Sequence, residues 1–510
     1  MPKFLNNFLN TTTMYRLILY VVGMILVAAL VLCSFGLLPY NPLALLYSTA
    51  ILVVVSWITN QLFVRVFKTH ANIESVFVTA LILALIISPP HAGEYISILP
   101  FLIWTGIWSM AAKFIIAINK KHVFNPVAFA VALTAITLNQ SATWWVGTLY
   151  MLPFVLIGGL LIVKKIRRFD MVIVFLVSAL VSIFATSSAQ LGLADILTTL
   201  HRIFIDSPMI FFAFIMLTEP LTSPLTRTKR MVFALVIGLL FTPTLHVLSI
   251  YSTPELALLT GNLLAFFMSP MRKYVLTLTK SDLVAKDTGE FTFTSDHPIK
   301  FKPGQYMEWT LGHDDTDSRG NRRFFTIASS PTEPEVKLGV KFYPESSSFK
   351  TSFAKLEIGQ TIVAGGVAGD FVLPHNKSTK LVFIAGGIGI TPFRSMIKYL
   401  IDKNEKRDIV VLYSNNTIVD LAYPEIWQAA TEKLGIKVVC TLTDTQNLTR
   451  DWSGRIGFVS PDMITHEVPD YMNRTYYISG PHGMVSACEE MLHKMHIPGR
   501  RIRTDFFPGF

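Results

Sequence analysis

Cysteine is scarce in this chain of 510 residues: Cys33, Cys440 and Cys488 are too few and too widely spaced for a disulfide framework. The same count rules out a four-cysteine iron–sulfur cluster. Cys33 lies in the first apolar run, so the remainder of the chain suits a reducing compartment or is indifferent to it. Acidic residues are unevenly placed. Most of the 34 Asp and Glu follow residue 280, while most long apolar runs precede it. The formal charge of +10 forms no single basic patch, which argues against a nucleic-acid partner. Histidine pairs at haem-ligating spacing are also missing. Of His70, His91, His122, His201 and His246, only His246 sits well inside an apolar run. No metal site is expected. A cleavable signal is not apparent either: the first apolar run, from about Tyr15 to Leu38, is too long for a signal h-region and lacks a small-residue cleavage site. It reads as a retained anchor.

What is present changes character near Ser269–Tyr274. Before that point, apolar stretches start near Tyr15, Leu43, Ile73, Ile96, Val123, Trp144, Phe169, Pro208, Met231 and Pro254. Each is close to the roughly 20 residues that a bilayer span requires. The basic clusters Arg65/Lys68, Lys113/Lys120/Lys121, Lys164/Lys165/Arg167/Arg168, Arg227/Lys229/Arg230 and Arg272/Lys273 then fall on one side of a ten-span layout, with Arg202 on the other. Positive loops mark the cytoplasmic side, so both termini are expected there, in a cell membrane crossed many times. Two strings interrupt the apolar pattern: His122 followed by Asn125-Pro126, and Thr218 to Pro224. Irregular backbone at membrane depth needs protein or a cavity to satisfy its polar groups, so these breaks point to a site.

The strings HVFNPVAFAVAL (His122–Leu133), Trp144-Trp145 and FAFIMLTEPLTSP (Phe212–Pro224) resemble the membrane subunits of the Rnf complex and of the sodium-translocating NADH:quinone reductase. That resemblance implies a flavin-holding helical domain with an electron acceptor in the membrane. The family attaches one flavin through a Ser/Thr-Gly-Ala-Thr string. Here Ser141-Ala142-Thr143 lacks the glycine, so a non-covalent second flavin or a quinone is expected instead.

From about Thr277 to Pro374, short β-rich runs alternate with turns, the pattern of a small antiparallel barrel. Gly304-Gln305-Tyr306 followed by Arg323-Phe324-Phe325-Thr326 resembles the ferredoxin–NADP reductase superfamily, whose motif is Arg-x-Tyr/Phe-Ser/Thr. The resemblance implies FAD. Arg323 would meet its pyrophosphate with a guanidinium fork. Phe325, on the same strand face, would lie against the isoalloxazine ring, and Thr326 would place a hydroxyl near the atom that accepts hydride. Tyr306 and Phe324 belong to the same binding surface. Ser352, with Thr351 next, is assigned the phosphate-binding hydroxyl at a helix start. Gly365–Phe371 resembles the turn that closes the family's barrel.

Lys380–Ala385 is a continuous apolar strand running into Gly386-Gly387-Ile388-Gly389-Ile390-Thr391-Pro392 and then a helical pattern. Strand, glycine-rich turn and helix form a diphosphate site, because glycine lets backbone approach the phosphates and the helix start favours their charge. Gly386, Gly387, Gly389, Thr391 and Pro392 are the residues assigned to it. Ser414 ends the next strand, and no Arg or Lys lies between Arg407 and Glu425 to hold a 2′-phosphate, which favours NADH over NADPH. Thr475–Gly480 leads to Gly480-Pro481. The family has cysteine where this chain has Ser479, beside the reacting carbon of the nicotinamide. An aromatic near the family's C-terminus covers the flavin's other face, a role for Phe507 or Phe510.

The sequence thus describes a multidomain protein. A polytopic α-helical membrane domain of about ten helices spans residues 1–272. An antiparallel β-barrel FAD domain covers 273–375, and an α/β NAD-binding domain covers 376–510. Its partners would be the lipid bilayer, the nicotinamide cofactor and a membrane electron acceptor. Thr326, Ser479 and Phe507 are the residues expected at the hydride-transfer centre. The alternative reading is a transporter, or a transmembrane electron exporter, whose reductase module supplies or senses reducing equivalents.

Overall fold

The computed structural model describes residues 8–9, 12–67, 72–118, 121–186, 193–242, 244–247, 250–269, 273–313, 321–444 and 452–505. The chain divides into two compact units between residues 271 and 272.

The first unit is helical. Helices occupy Met14–Ser34, Pro42–Phe67, Ile73–Ile86, Leu99–Phe114, Pro126–Leu138, Leu152–Ile166, Phe169–Thr186, Leu193–Phe204, Arg227–Leu240 and Pro254–Met268. A five-residue π-helix covers Phe212–Met216. Against the ten spans expected, length and composition single out fewer outright, and Ile73–Ile86, Pro126–Leu138 and Pro254–Met268 are shorter apolar helices. Among the described residues three helices, Met14–Ser34, Pro42–Phe67 and Phe169–Thr186, are long and apolar enough to cross a membrane. The number becomes four if the pair Ile196–Phe204 and Met209–Met216, bent by 53°, is one span. Polar and proline residues cut the other apolar runs short. Asn125 caps Pro126–Leu138 by accepting from the backbone N–H groups of Val127 and Ala128. Ile73–Ile86 stops ahead of Ser88-Pro89-Pro90, where residues preceding proline leave the helical region. Helices approach closely where side chains are small: a Cβ on Gly238 would lie 2.7 Å from the carbonyl of Phe175.

The second unit begins with a six-stranded antiparallel sheet: β1 Lys273–Ala285, β2 Thr288–Ser295, β3 Tyr306–Thr310, β4 Arg322–Thr326, β5 Val336–Lys341 and β6 Thr361–Ala368. Their order is β4-β3-β6-β1-β2-β5. The edge strands β4 and β5 are consecutive in the chain, and Ala328 N donates to Lys337 O at 2.8 Å, which brings the sheet's two ends together as a rolled barrel. Its interior is filled by Leu276, Phe293, Met307, Trp309, Phe349 and Phe353, all fully buried.

A six-stranded parallel sheet follows: β7 Leu381–Gly386, β8 Ile409–Asn415, β9 Lys437–Leu442, β10 Arg455–Ile456, β11 Thr475–Ser479 and β12 Ile502–Thr504. The order is β10-β9-β8-β7-β11-β12. Strand β7 is buried along its whole length because helices cover both faces. Leu381, Phe383 and Ala385 pack with Phe393, Met396 and Trp427. Val382 and Ile384 pack on the other face with Ile464, Cys488 and Leu492. Cys440 lies on β9, and all three cysteines are free thiols. Strand order reverses between β7 and β11, which opens a crevice at their carboxyl ends.

At the opposite end of the sheet, Arg474 ties three segments together. Its Nε donates to Asp470 Oδ1 at 2.5 Å, and its Nη1 donates to Asp408 Oδ1 at 2.7 Å and to Leu381 O at 3.3 Å. Lys380 Nζ also reaches Asp470 Oδ2, at 2.7 Å. Arg474's hydrogen bond, opposed by desolvation and joined by that of Lys380, holds the Asp470 carboxyl down to about 2. A depressed carboxyl stabilises the fold fully above the pKa of the unfolded side chain, about 3.9, and that contribution fades as pH falls toward 2. The melting temperature of the C-terminal unit in the full-length protein, followed by fluorescence, is therefore expected to fall between pH 5 and pH 3, with a flatter profile in Asp470→Asn. Identical profiles for the two proteins would contradict this linkage.

Candidate functional site

Strand pairing fixes the flavin-side residues. Tyr306 pairs with Thr326, Glu308 with Phe324 and Trp309 with Arg323. Tyr306, Phe324 and Thr326 therefore share one face, where the rings of Tyr306 and Phe324 meet edge-on at 5.5 Å. Arg323 and Phe325 share the other, as strand alternation requires. There the Arg323 guanidinium, 4% exposed, lies 5.4 Å over the ring of Phe349, and Phe325 packs at 5.9 Å from Phe349 and 6.5 Å from Phe353.

Both partners belong to the helix Ser348–Phe353, and here one assignment is corrected. Ser352 sits near the end of that six-residue helix, not at its start. Ser347 is the cap, accepting from Lys350 N, and the adjacent Ser348 hydroxyl lies 3.1 Å from His313 Nε2. A hydroxyl at the helix start comes from Ser347 or Ser348, because those positions adjoin the first-turn N–H groups. A guanidinium, a serine hydroxyl and the backbone amides of a helix start form a donor set suited to the diphosphate of FAD.

The nicotinamide-side residues converge on the crevice at the β7–β11 reversal. Gly386 ends β7 opposite Ser414 on β8, and Ala385 pairs with Ser479 on β11. Gly387 has φ +51, and a Cβ there would point into open space. Gly389 lies tight against backbone: its Cβ would lie 2.5 Å from the backbone of Ser479 and Gly480. Thr391 is buried, and its hydroxyl donates to Ile388 O at 3.1 Å, so it closes the turn. Pro392 occupies the first turn of Thr391–Asp402, and Pro481 caps His482–Lys494. Room above Gly387, a glycine turn and a helix start fit the diphosphate of a nicotinamide cofactor.

Ser479, 3% exposed, donates its Oγ to Asp505 Oδ2 at 3.2 Å. Asp505 is held in turn through its N–H, 2.9 Å from Ile478 O. Sequence reading missed this carboxylate. Its signal was an acidic residue immediately before two phenylalanines, at the end of the last strand. Phe507 and Phe510 lie outside the described residues.

The helical unit has its own polar centre. The two breaks that interrupt the apolar pattern meet there: Asn125 Nδ2 donates to Glu219 Oε2 at 2.7 Å, and His122 Nε2 lies 3.6 Å from Glu219 Oε1. Thr222 Oγ1 donates to Glu219 Oε2 at 3.1 Å. Asn262 joins both breaks, accepting from Asn125 N at 2.8 Å and donating to Thr222 O at 3.2 Å. Lys113, not singled out in the sequence for this role, bonds Ser75 O, Ser75 Oγ and Thr79 Oγ1 at 2.8–3.0 Å. Ser75, Thr79, Asn125 and Glu219 line a small cleft together with apolar residues, among them Ile18, Val78, Ile82 and Ile162. Among the described residues no group of three His, Cys, Asp or Glu is placed to hold a metal ion.

Residues 383–490 match the oxidoreductase NAD-binding domain. Over 212 residues the chain is 28% identical to the glycine betaine monooxygenase reductase subunit of Chromohalobacter salexigens, a match covering 40% of this chain and 56% of that protein. It is 29% identical over 234 residues to NADH-cytochrome b5 reductase 1 of Ajellomyces capsulatus, covering 44% and 74%. The chain spans just over half the length of the first of these relatives. Among solved structures, an Amycolatopsis cytochrome P450 reductase aligns at 24% identity and a TM-score of 0.42, over 47% of this chain and 71% of that one. The C-terminal half of the chain is thus similar to NAD(P)H-dependent reductase components, and residues 383–490 form an oxidoreductase NAD-binding domain.

Proposed function

We propose that the protein is a membrane-bound, NADH-oxidising flavoprotein that passes electrons from NADH by way of FAD to an acceptor held in its helical half, a second non-covalent flavin or a quinone. The observation that carries this reading is the polar centre of the helical unit. Two helix breaks converge on Glu219, in the chain that also carries the reductase-like module, and Asn125 and Glu219 line a cleft together with apolar residues such as Ile82 and Ile162. Polar groups among apolar walls suit a ring with a hydrogen-bonding edge. The resemblance of His122–Leu133 and Phe212–Pro224 to the Rnf and sodium-translocating quinone reductase subunits points the same way. The basic loops support a multi-pass arrangement with both termini cytoplasmic. Domain limits of 1–272, 273–375 and 376–510 follow from this reading.

Bound FAD would supply the exchange between two-electron and one-electron chemistry. The chain's own residues bind and orient. Arg323 with the start of Ser348–Phe353 would hold the flavin diphosphate, while Tyr306, Phe324 and Thr326 would frame its ring and Phe325, on the other strand face, would back the helix Ser348–Phe353. Gly386, Gly387 and Gly389 would receive the nicotinamide diphosphate, with Gly480 and Pro481 opposite. Ser414 and the neighbouring Asn415, neutral at the end of β8, fit the unphosphorylated ribose of NADH. Ser479, its proton directed to Asp505, would present its oxygen lone pairs toward the nicotinamide. Phe507 or Phe510 would cover the flavin.

Cofactor extraction from the purified full-length protein should yield FAD and a second flavin or a quinone, with NADH bleaching the flavin absorbance. FAD as the sole redox compound would sink the acceptor reading. Glu219→Gln should slow electron arrival at the acceptor by about 10- to 100-fold, the cost of losing hydrogen bonds to a charged group, while NADH still reduces the FAD. Equal acceptor rates in the two proteins would remove Glu219 from the path. Ser479→Ala should slow FAD reduction by about tenfold, with Ser479→Cys close to the natural protein. An unaffected alanine variant would show that the Ser479–Asp505 pair plays no part in hydride transfer.

A further inference from the structure

Hydride transfer needs donor and acceptor within about 3–3.5 Å, and a misplacement of about 1 Å costs roughly 100-fold in rate. Here the residues assigned to the two partners stand on different layers. Thr326 ends β4 of the antiparallel sheet, whereas the loop Gly386–Thr391 follows β7 of the parallel sheet. Among the described residues no backbone ladder joins the layers; Lys286 N bonds Val419 O at 2.8 Å and Lys341 pairs with Asp420 at 3.0 Å away from the glycine loop, so beside that loop side chains set the spacing.

The helix Thr391–Asp402, which starts directly on the glycine loop, carries those side chains. Arg394 in its first turn is 4% exposed and grips Glu333 with both arms of its guanidinium: Nη2 lies 3.0 Å from Oε1, and Nη1 bonds Oε2. Nη1 also donates to Ala328 O at 3.1 Å, two residues beyond Thr326. The next residue, Ser395, is fully buried and donates to Ser329 O at 2.6 Å. Glu333 is itself anchored, accepting from Ser330 N at 2.6 Å and facing Lys337 at 3.7 Å. At the far end of the helix, Thr332 Oγ1 donates to Asp402 Oδ2 at 2.5 Å. The guanidinium is backed by the ring of Tyr423, 5.5 Å away. Tyr423 has φ +60, a left-handed conformation that a bulky residue keeps only where its surroundings hold it.

An ion pair this deeply buried is poor support for stability as such, since an apolar pair of equal size does as well. What the fork adds is direction. Its bonds run to the segment that leaves Thr326, from the helix that leaves the glycine loop. The geometry points to a positioning role for Arg394, anchored by Glu333: it sets the distance between the nicotinamide-binding loop and the end of the Thr326 strand, and so the rate of hydride transfer, without touching either cofactor. The step balances as one hydride: two electrons and a proton leave the nicotinamide, which is oxidised, and the flavin is reduced. This role rests on the reading of the C-terminal half as an NADH-oxidising FAD enzyme.

The test compares full-length wild type, Arg394→Gln, Arg394→Lys and Glu333→Gln, all FAD-loaded in one detergent. Anaerobic stopped-flow with NADH and with its deuterated form is paired with hydrogen–deuterium exchange over residues 327–333 and 386–391. Arg394→Gln should reduce FAD about 10- to 100-fold more slowly, with an unchanged NADH dissociation constant, a larger isotope effect and faster exchange in both segments. Arg394→Lys keeps the charge but not the fork and should be slowed nearly as much. Wild-type rates in Arg394→Gln, a loss confined to NADH binding, or unaltered exchange would each overturn the proposal. Should that variant fail to fold, Arg394→Lys and Glu333→Gln give the same readouts. A wild-type chain that binds no FAD, or whose FAD is not reduced by NADH, overturns the underlying reading. Normal wild-type reduction beside indifferent variants overturns the positioning role alone.

Discussion

The C-terminal half depends on one close approach. The backbone of Gly389 lies so near that of Ser479 and Gly480 that only hydrogen fits between them. This contact brings the loops after β7 and β11 side by side at the point where strand order reverses. It leaves Gly387 open above them, and it puts Ser479 at the lip of the crevice with Asp505 behind it. A side chain at residue 389 would part the loops, and the residues that converge on the crevice would lose their common frame. Fully buried strands and helices on both faces keep that frame rigid.

A different constraint organises the helical half. Where a helix breaks among apolar neighbours, the freed polar groups must find partners within the protein. The break at Asn125 and the break at Glu219 find each other, and Asn262 and Thr222 complete the ring of bonds. Arg168, itself buried, steadies the second break by donating to Thr218 O at 3.1 Å and to the Ser223 hydroxyl. A carboxylate is thereby kept in an apolar unit beside a cleft, its Oε2 accepting from Asn125 and Thr222 and its Oε1 facing His122.

Much of this was legible in the sequence, for reasons that differ by residue. The run Leu381–Thr391 is unambiguous because an unbroken apolar strand and a glycine turn each have few alternatives. The strand Arg322–Thr326 was readable from alternation, and its register against Tyr306 follows from pairing. Ser352 was misplaced because a string of serines says nothing about which one adopts the extended cap conformation; Ser347 does. Ten apolar runs and three helices long enough to span differ because hydropathy detects apolar composition, whereas helix length is decided at residues such as Asn125 and Pro126. Lys113, Asp505 and the Arg394–Glu333 pair escaped notice because their partners are distant in sequence, 61 residues apart for the last, and composition carries no trace of such pairings.

The cysteines bear on how such a module would be poisoned. Burial pushes the thiols of Cys440 and Cys488 up to about 11, so both stay protonated and unreactive near neutral pH. The resemblance to the ferredoxin–NADP reductases calls for a third thiol beside the nicotinamide, but that position is Ser479, which neither alkylates nor forms sulfenic acid. Among the described residues, the C-terminal unit therefore offers peroxides and electrophiles no ready thiolate to attack, and a serine in the crevice removes the oxidation chemistry that a cysteine there would bring.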